Sequence, residues 1–301
     1  MTARLPADVI AQLAAADPED IPGQVAAAWG LLTPYHEKAG YTAPRLERDL
    51  AYGIHPRQRL DVHAPAHPDR AAPAVLFVHG GGFTGGDKHV PGTPMYDHVG
   101  AWAVRHGAVG VTMTYRLAPD HPWPAGAQDV AAAVSWVRGN IGRYGGDPER
   151  MVVSGHSAGA CHLASFLAGQ GGGSLDGVRG GALLSGIYDL THRSDLERTY
   201  YGNAPGETVS TLPALLDCPV PLLFSVAERD TRYFHAQAAG VVAAWLSRHG
   251  VTPQLVWVEG HNHISEIASL GVDDDALGTQ LYRFIERVTE PALAPPSARW
   301  H

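Results

Sequence analysis

The chain has little cysteine, no surplus of basic charge and no long apolar run, and each shortage narrows what it can be. Two cysteines in 301 residues, Cys161 and Cys218, are too few for a disulfide scaffold or a Cys-rich zinc site. They fit a reduced, cytoplasmic setting. Lysine and arginine number 22 against 30 acidic residues, for a net charge of −8. No basic excess exists to displace counterions from a nucleic acid or to settle on an anionic membrane. No apolar stretch approaches the roughly 18 residues needed to span a bilayer. The N-terminal stretch carries Asp8, Asp17, Glu19 and Asp20 and has neither the basic start nor the apolar segment of a secretory signal.

What is present is globular. Hydrophobic residues make up 45% and charged residues 17%, and the length suits one large α/β domain. Residues 1–45 have helical character. Val9, Ile10 and Leu13 recur at helical spacing behind Pro6, Asp17-Pro18 ends that segment, and a second helix fits 24–32. Beyond Leu46 the period changes. Residues 60–63 alternate like a half-buried strand. Short continuous apolar runs at 74–78 and 108–115 suit strands covered on both faces. Further strands fit 151–154, 182–184, 220–226 and 255–258, with helical spacing at 129–137, 158–167, 234–248 and 277–288. Strand alternating with helix predicts a mostly parallel central sheet flanked by helices. There is no fixed-period repeat. The expected organisation is an N-terminal helical cap segment over 1–45, one α/β domain over 46–290 and a frayed tail over 291–301. Asp273, Asp274 and Asp275 suit a helix start better than a metal site.

Gly155-His156-Ser157-Ala158-Gly159 follows one strand and opens one helical segment. G-x-S-x-G in that context is a nucleophile elbow. The turn is sharp, the serine sits in strained backbone, and a Cβ at either flanking glycine would collide with neighbouring chain. The helix beginning there offers its N-terminal amides to an anion. The bland alternative is a Gly-rich turn with an incidental serine.

His79-Gly80-Gly81-Gly82-Phe83 follows the strand at 74–78. Consecutive glycines let backbone N–H groups converge on one oxygen, an oxyanion hole in which each donor is worth roughly 10²- to 10³-fold in rate. Gly80, Gly82 and Gly85 also satisfy a dinucleotide fingerprint. That reading needs a helix starting at the glycines and an acid at the end of the next strand. Pro91 and Pro94 break such a helix, and the next strand ends in Tyr115-Arg116. A phosphate-binding P-loop fails because Asp87 stands between Gly86 and Lys88.

A serine at an elbow needs a base, and the base needs an orienting acid, in the chain order Ser, acid, His. The strand at 220–226 runs into Ala227-Glu228-Arg229-Asp230, where Asp230 is favoured as the acid and Glu228 is the alternative. The strand at 255–258 leads to His261-Asn262-His263. His263, which opens the next helical segment, is favoured as the base over His261. No third ligand is spaced to make His261-x-His263 a metal site. Four signals in this order point to a serine hydrolase. A non-catalytic binding module would be the natural reading only if a triad member were missing.

Residues 46–290 resemble the α/β-hydrolase superfamily, and within it the HGGG-containing esterases of the hormone-sensitive-lipase type. The likeness is carried by the two glycine motifs, by Tyr115-Arg116-Leu117-Ala118-Pro119 with Pro122, Pro124, Ala125 and Asp129, and by Tyr144-Gly145-Gly146-Asp147-Pro148. It implies an α/β-hydrolase fold with a helical cap, and hydrolysis of carboxylic esters of small or medium acyl groups through an acyl-enzyme, without cofactor or metal. Two departures stand out. His156 occupies the place where those esterases usually carry Asp. The elbow and residues 184–190 look more like arylformamidases, relatives that usually have a bulky aromatic in place of Gly82. The implied alternative is hydrolysis of an N-formyl aromatic amine.

In this reading Ser157 attacks, His263 takes its proton, Asp230 orients the imidazole, and the N–H groups of Gly81, Gly82 and Ala158 hold the oxyanion. Phe83, Trp123 and Tyr188 are candidate pocket walls, with Trp29, Tyr35 and Tyr201 behind them. Cys161, one helical turn after Ser157, suits a buried small hydrophobe. The expected partner is a small-molecule ester or amide, with no nucleic acid and no membrane, and the chain acts as a monomer or homodimer.

Overall fold

The computed structural model describes residues 5–67 and 71–290; the expected tail at 291–301 lies outside the described residues. In chain order the elements are α1 (Ala7–Ala14), α2 (Ile21–Ala39), β1 (Arg45–Ala51), β2 (Arg59–Ala64), β3 (Ala72–Val78), α3 (Asp97–Arg105), β4 (Val109–Met113) and α4 (Ala125–Asn140). There follow β5 (Gly146–His156), α5 (Ala158–Leu167), β6 (Val178–Leu184), α6 (Asp195–Tyr201), α7 (Gly206–Val209) and α8 (Leu212–Leu215). The last are β7 (Leu222–Arg229), α9 (Arg232–His249), β8 (Gln254–Asn262), α10 (Ser265–Ala268) and α11 (Thr279–Thr289).

The eight strands form one sheet in the order β1-β2-β4-β3-β5-β6-β7-β8. β2 runs antiparallel to both β1 and β4, and the remaining neighbours are parallel. The central strands are apolar on both faces because helices cover both. In β3, Ala74, Leu76 and Val78 join the core on one side and Val75 and Phe77 the core on the other. Met151 and Val153 against Val152 divide β5 the same way. This is the two-residue period of a strand buried twice.

Several elements depart from expectation, among them α3 and the short helices α6, α7 and α8, and for three of the departures the reason is identifiable. Helix α2 runs on past Pro34, well beyond 32. Its buried face, Gln24, Ala28, Leu32 and His36, continues at four-residue steps, and His36 Nε2 donates to the Ala268 carbonyl at 2.7 Å. Asp20 caps its start by accepting from the Gly23 N–H, as a short acid should. β1 carries no apolar run, since it is an edge strand of charged residues. No helical spacing marks α3, which buries Val99, Trp102 and Ala103 in the core and lays its Gly100 against Gly110 and the ring of His63.

A buried ion cluster moors the segment that follows the glycine loop. Lys88, 5% exposed, donates to Asp49 at 2.7 Å and pairs with the fully buried Asp61 at 3.0 Å. Arg48 spans Asp61 and Asp97 with bonds of 2.6–3.0 Å. Among the described residues no helix is long and apolar enough to cross a membrane.

Candidate active site

Ser157 stands between β5 and α5 with φ 56° and ψ −122°, a conformation non-glycine residues rarely hold. The neighbours enforce it. A Cβ on Gly159 would strike the Val78 carbonyl, and one on Gly155 would come 2.5 Å from the Gly159 carbonyl. The Ser157 N–H donates to Leu184 O at 2.9 Å. β3, β5 and β6 therefore grip the elbow from three sides.

Ser157 Oγ lies 2.9 Å from His263 Nε2, and His263 Nδ1 lies 2.7 Å from Asp230 Oδ1. The acid comes from the end of β7 and the histidine from the loop after β8, so three strand ends converge. Asp230 Oδ2 accepts from Ser185 Oγ at 2.5 Å and from the Ala227 N–H at 3.1 Å. Burial pushes this carboxyl up, but the His263 charge and the bonds from His263, Ser185 and Ala227 outweigh it and hold it below the usual range. His156 Nε2 donates to the His263 carbonyl at 2.8 Å. Burial, then the nearby His263, lowers the His156 imidazole to about 3, so it donates as a neutral ring. Of the sequence alternatives, Glu228 instead accepts from the Gly260 N–H at 2.8 Å. His261 bonds locally to Ser265 Oγ at 3.1 Å.

The glycine loop lies opposite. Gly81 has φ 132° and Gly82 φ 58°, and a Cβ on Gly81 would meet the Gly85 carbonyl. Among the described residues no loop or turn bond takes the N–H of Gly81 or Gly82. The N–H of Ala158 is one of the orphan donors at the start of α5. Tyr115 OH donates to His79 O at 2.9 Å and Arg57 to Gly86 O at 2.8 Å, bracing the loop from behind. No helix starts at these glycines, which removes the dinucleotide reading.

Ser157, His263, Gly81, Gly82 and Ala158 border one cavity of about 570 Å³. Its walls are mainly apolar: Ile21, Val25 and Trp29 from α2, Phe83, Val90 and Tyr96 from the loop after β3, and Ile187, Leu196, Tyr233 and Phe234 from the far side. Phe83 and Trp29 are where expected. Trp123 and Tyr188 are not on the wall, which corrects the expectation. Trp123 packs beside the Phe83 cluster and donates to Gln170 Oε1 at 3.3 Å. Tyr188 points into the core, its hydroxyl on Leu183 O at 3.3 Å and its ring edge-on to Phe224. Tyr35 and Tyr201 lie off the wall too, Tyr201 in the Phe83 cluster and Tyr35 against the N-terminal helical core. Tyr233 and Phe234 were missed, although they open α9 directly after Asp230. Cys161 is buried, its thiol pushed up to about 12 by burial.

A serine elbow at the end of a central parallel strand, with its acid and histidine on loops beyond later strands, is how α/β-hydrolases are built, and the chain has that fold. It carries the HGGG loop of the hormone-sensitive-lipase-like group it resembles. Residues 60–184 match the BD-FAE family. Esterase LipC of Mycobacterium tuberculosis is 35% identical over 169 residues, 51% of this chain and 40% of that protein. Esterase LipQ of the same organism is 29% identical over 247 residues, 73% of this chain and 58% of that protein. Carboxylesterase NlhH, also from that organism, is 47% identical over 97 residues, 32% of this chain and 28% of that protein. The chain thus spans from 28% to 58% of these relatives' lengths. In fold it is similar to a hyperthermophilic esterase from the archaeon Pyrobaculum calidifontis, with TM-score 0.67 and 24% identity over 95% of this chain and 98% of that one.

Proposed function

We propose that the protein hydrolyses carboxylic esters of small to medium acyl groups through an acyl-enzyme. The observation that carries this reading is the unbroken chain Ser157 Oγ–His263–Asp230, with links of 2.9 and 2.7 Å, at the floor of an apolar cavity. Ser157 Oγ attacks the ester carbonyl while its proton passes to His263 Nε2. The carbonyl oxygen becomes an oxyanion facing the N–H groups of Gly81, Gly82 and Ala158. The C–O bond to the alcohol then breaks, and His263 returns the proton to the departing alcohol. Water, deprotonated by His263, attacks the acyl-serine; the acid leaves and Ser157 regains its proton. Asp230 keeps the imidazole tautomer and balances its transient positive charge.

The relatives named above are all called esterases, and no feature of the cavity favours a formamide over an ester. Residues 1–45 act as a cap over the 46–290 catalytic domain, since Ile21, Val25 and Trp29 close one wall. The free thiols of Cys161 and Cys218 suit a reducing, cytoplasmic setting.

The test is initial rates on p-nitrophenyl acetate, butyrate and decanoate beside N-formylkynurenine, for wild type, Ser157→Ala and Trp29→Ala. Ester turnover should fall with chain length, and by at least about 10⁴-fold in Ser157→Ala. Trp29→Ala should raise the relative rate on decanoate by opening the cap wall. Undiminished activity in Ser157→Ala would overturn the mechanism. A kcat/KM orders of magnitude higher for N-formylkynurenine would replace ester by formamide.

A further inference from the structure

Behind Asp230 lies a second buried carboxyl, Glu266, for which the mechanism above has no use. Glu266 is 0% exposed. It sits in α10, three residues after His263, with Ser225 Oγ of β7 3.3 Å from its Oε2. Ser185, just past β6, stands between the two acids. It donates to Asp230 Oδ2 at 2.5 Å, while Glu266 Oε1 has no hydrogen-bond partner among the described residues. Ser185 holds φ at 42°, in the left-handed region. Such strain in a non-glycine residue persists only where the surroundings impose it, and it concentrates at working sites. Ser157 is strained at one end of this hydrogen-bond chain and Ser185 at the other.

We propose that Ser185 and Glu266 are positioning residues: Ser185 holds Asp230 by its hydrogen bond, and Glu266, buried behind them, keeps its proton, which leaves Asp230 as the single charged carboxylate aimed at His263. The inference rests on the ester-hydrolase reading and deepens it. Ser185 has one hydroxyl hydrogen, and at 2.5 Å it belongs to Asp230. Glu266 has only Ser225 Oγ as a hydrogen-bond partner, 3.3 Å from its Oε2, and its Oε1 has none among the described residues. A fully buried carboxylate charge held by so little costs far more than a buried neutral acid. No cation would balance the pair. The groups facing Glu266 are Asp230 and Ser225 from the β7 side, Ser185 and Tyr188 after β6, and His156 from β5 at 3.6 Å. His156 is neutral, as shown above. Burial, and then the Asp230 charge, drives the Glu266 carboxyl well above its ordinary range. Two carboxyls sharing one negative charge is the stable state of such a pair.

The test compares wild type, Glu266→Gln, Glu266→Leu and Ser185→Ala by kcat, KM and the pH dependence of kcat/KM on p-nitrophenyl butyrate. Glu266→Gln, a neutral isostere, should keep kcat within about threefold and leave the acid limb in place. Glu266→Leu and Ser185→Ala should lower kcat about tenfold or more at unchanged KM. Ser185→Ala should also move the acid limb upward, because Asp230 without that donor holds the imidazolium proton more tightly. An acid limb shifted down by about a unit or more in Glu266→Gln would mean that Glu266 was ionised, and overturn the proposal. So would wild-type kcat in both Glu266→Leu and Ser185→Ala. The proton is also read without turnover, as the infrared carbonyl band of a buried carboxylic acid that Glu266→Gln removes. A wild type inert toward every ester would sink the hydrolase reading, while that band, present or absent, would still decide the state of Glu266.

Discussion

The phenyl ring of Phe234 lies stacked on the imidazole of His263, with centroids 4.2 Å apart and planes 23° from parallel. His263 is therefore located by its partners at both ring nitrogens and by an aromatic surface. In the proposed mechanism the ring becomes positively charged when Ser157 attacks, and a π face stabilises a desolvated cation by about 0.5–2 kcal/mol. That gain exists in the transition state and not before it. Replacing Phe234 by Leu keeps the wall apolar and removes the π face. The expected result is a kcat lowered by about 2- to 10-fold, with a smaller change in KM. An unchanged kcat would mean that the stack is packing alone.

Burial of neutral histidines makes the fold acid-sensitive in a definite window. Burial lowers His79, His98, His156 and His162 to about 3, and His36 and His63 to about 4. Each is held below its unfolded value of 6.5, so between those limits the unfolded chain binds the extra proton. The sign follows: this stability is complete above pH 6.5 and is lost as pH falls toward 4. Each group contributes up to about 1.4 kcal/mol per pH unit. Glu266, raised by burial and by Asp230, acts in the opposite sense, but it is one group against six. Unfolding free energies from urea titrations at pH 7.5, 6 and 5 should fall by several kcal/mol overall across that range, with the midpoints falling in step. A midpoint constant from pH 7.5 to 5 would contradict the burial of these rings in the neutral form.

The parts of this fold that were legible in the sequence are those whose local chemistry and tertiary role agree. The helical spacing at 158–167 coincides with α5, because every residue from Ala158 to Leu167 is buried and all but His162 are small or apolar. Asp230 and His263 were legible because a strand end places them, and the structure brings both to Ser157. α3 was illegible because its buried face holds Asp97, His98, Gly100 and Trp102. Arg48 neutralises Asp97 and carbonyls satisfy His98, partners from distant sequence that no periodicity reveals. The pocket wall failed for a similar reason. Aromatic type says that Tyr188 and Trp123 are at least partly buried; which cavity a ring borders depends on its rotamer. Ser185 and Glu266 carry no motif, and only the φ of one and the burial of the other single them out.

Lys88 offers the strongest stability prediction in the chain. Its ammonium bonds Asp49, whose side chain is 71% exposed, and Asp61, whose side chain is fully buried. Burial alone would pull the lysine down, yet the two acids hold it above its ordinary range. The exposed partner adds little, since a solvated pair is worth under about 1 kcal/mol. The buried one dominates, because Asp61 would otherwise face Arg48 as its remaining cation. Lys88→Met keeps the stem and deletes the charge, and should destabilise the fold by about 3 kcal/mol or more. Asp49→Ala should cost under about 1 kcal/mol. The consequence reaches the site, because Thr84, Gly86, Asp87 and Val90 line the cleft on the segment that Lys88 moors. Urea midpoints and kcat for both variants check the argument. Equal midpoints for Lys88→Met and Asp49→Ala would show that Asp61 is satisfied by Arg48 alone.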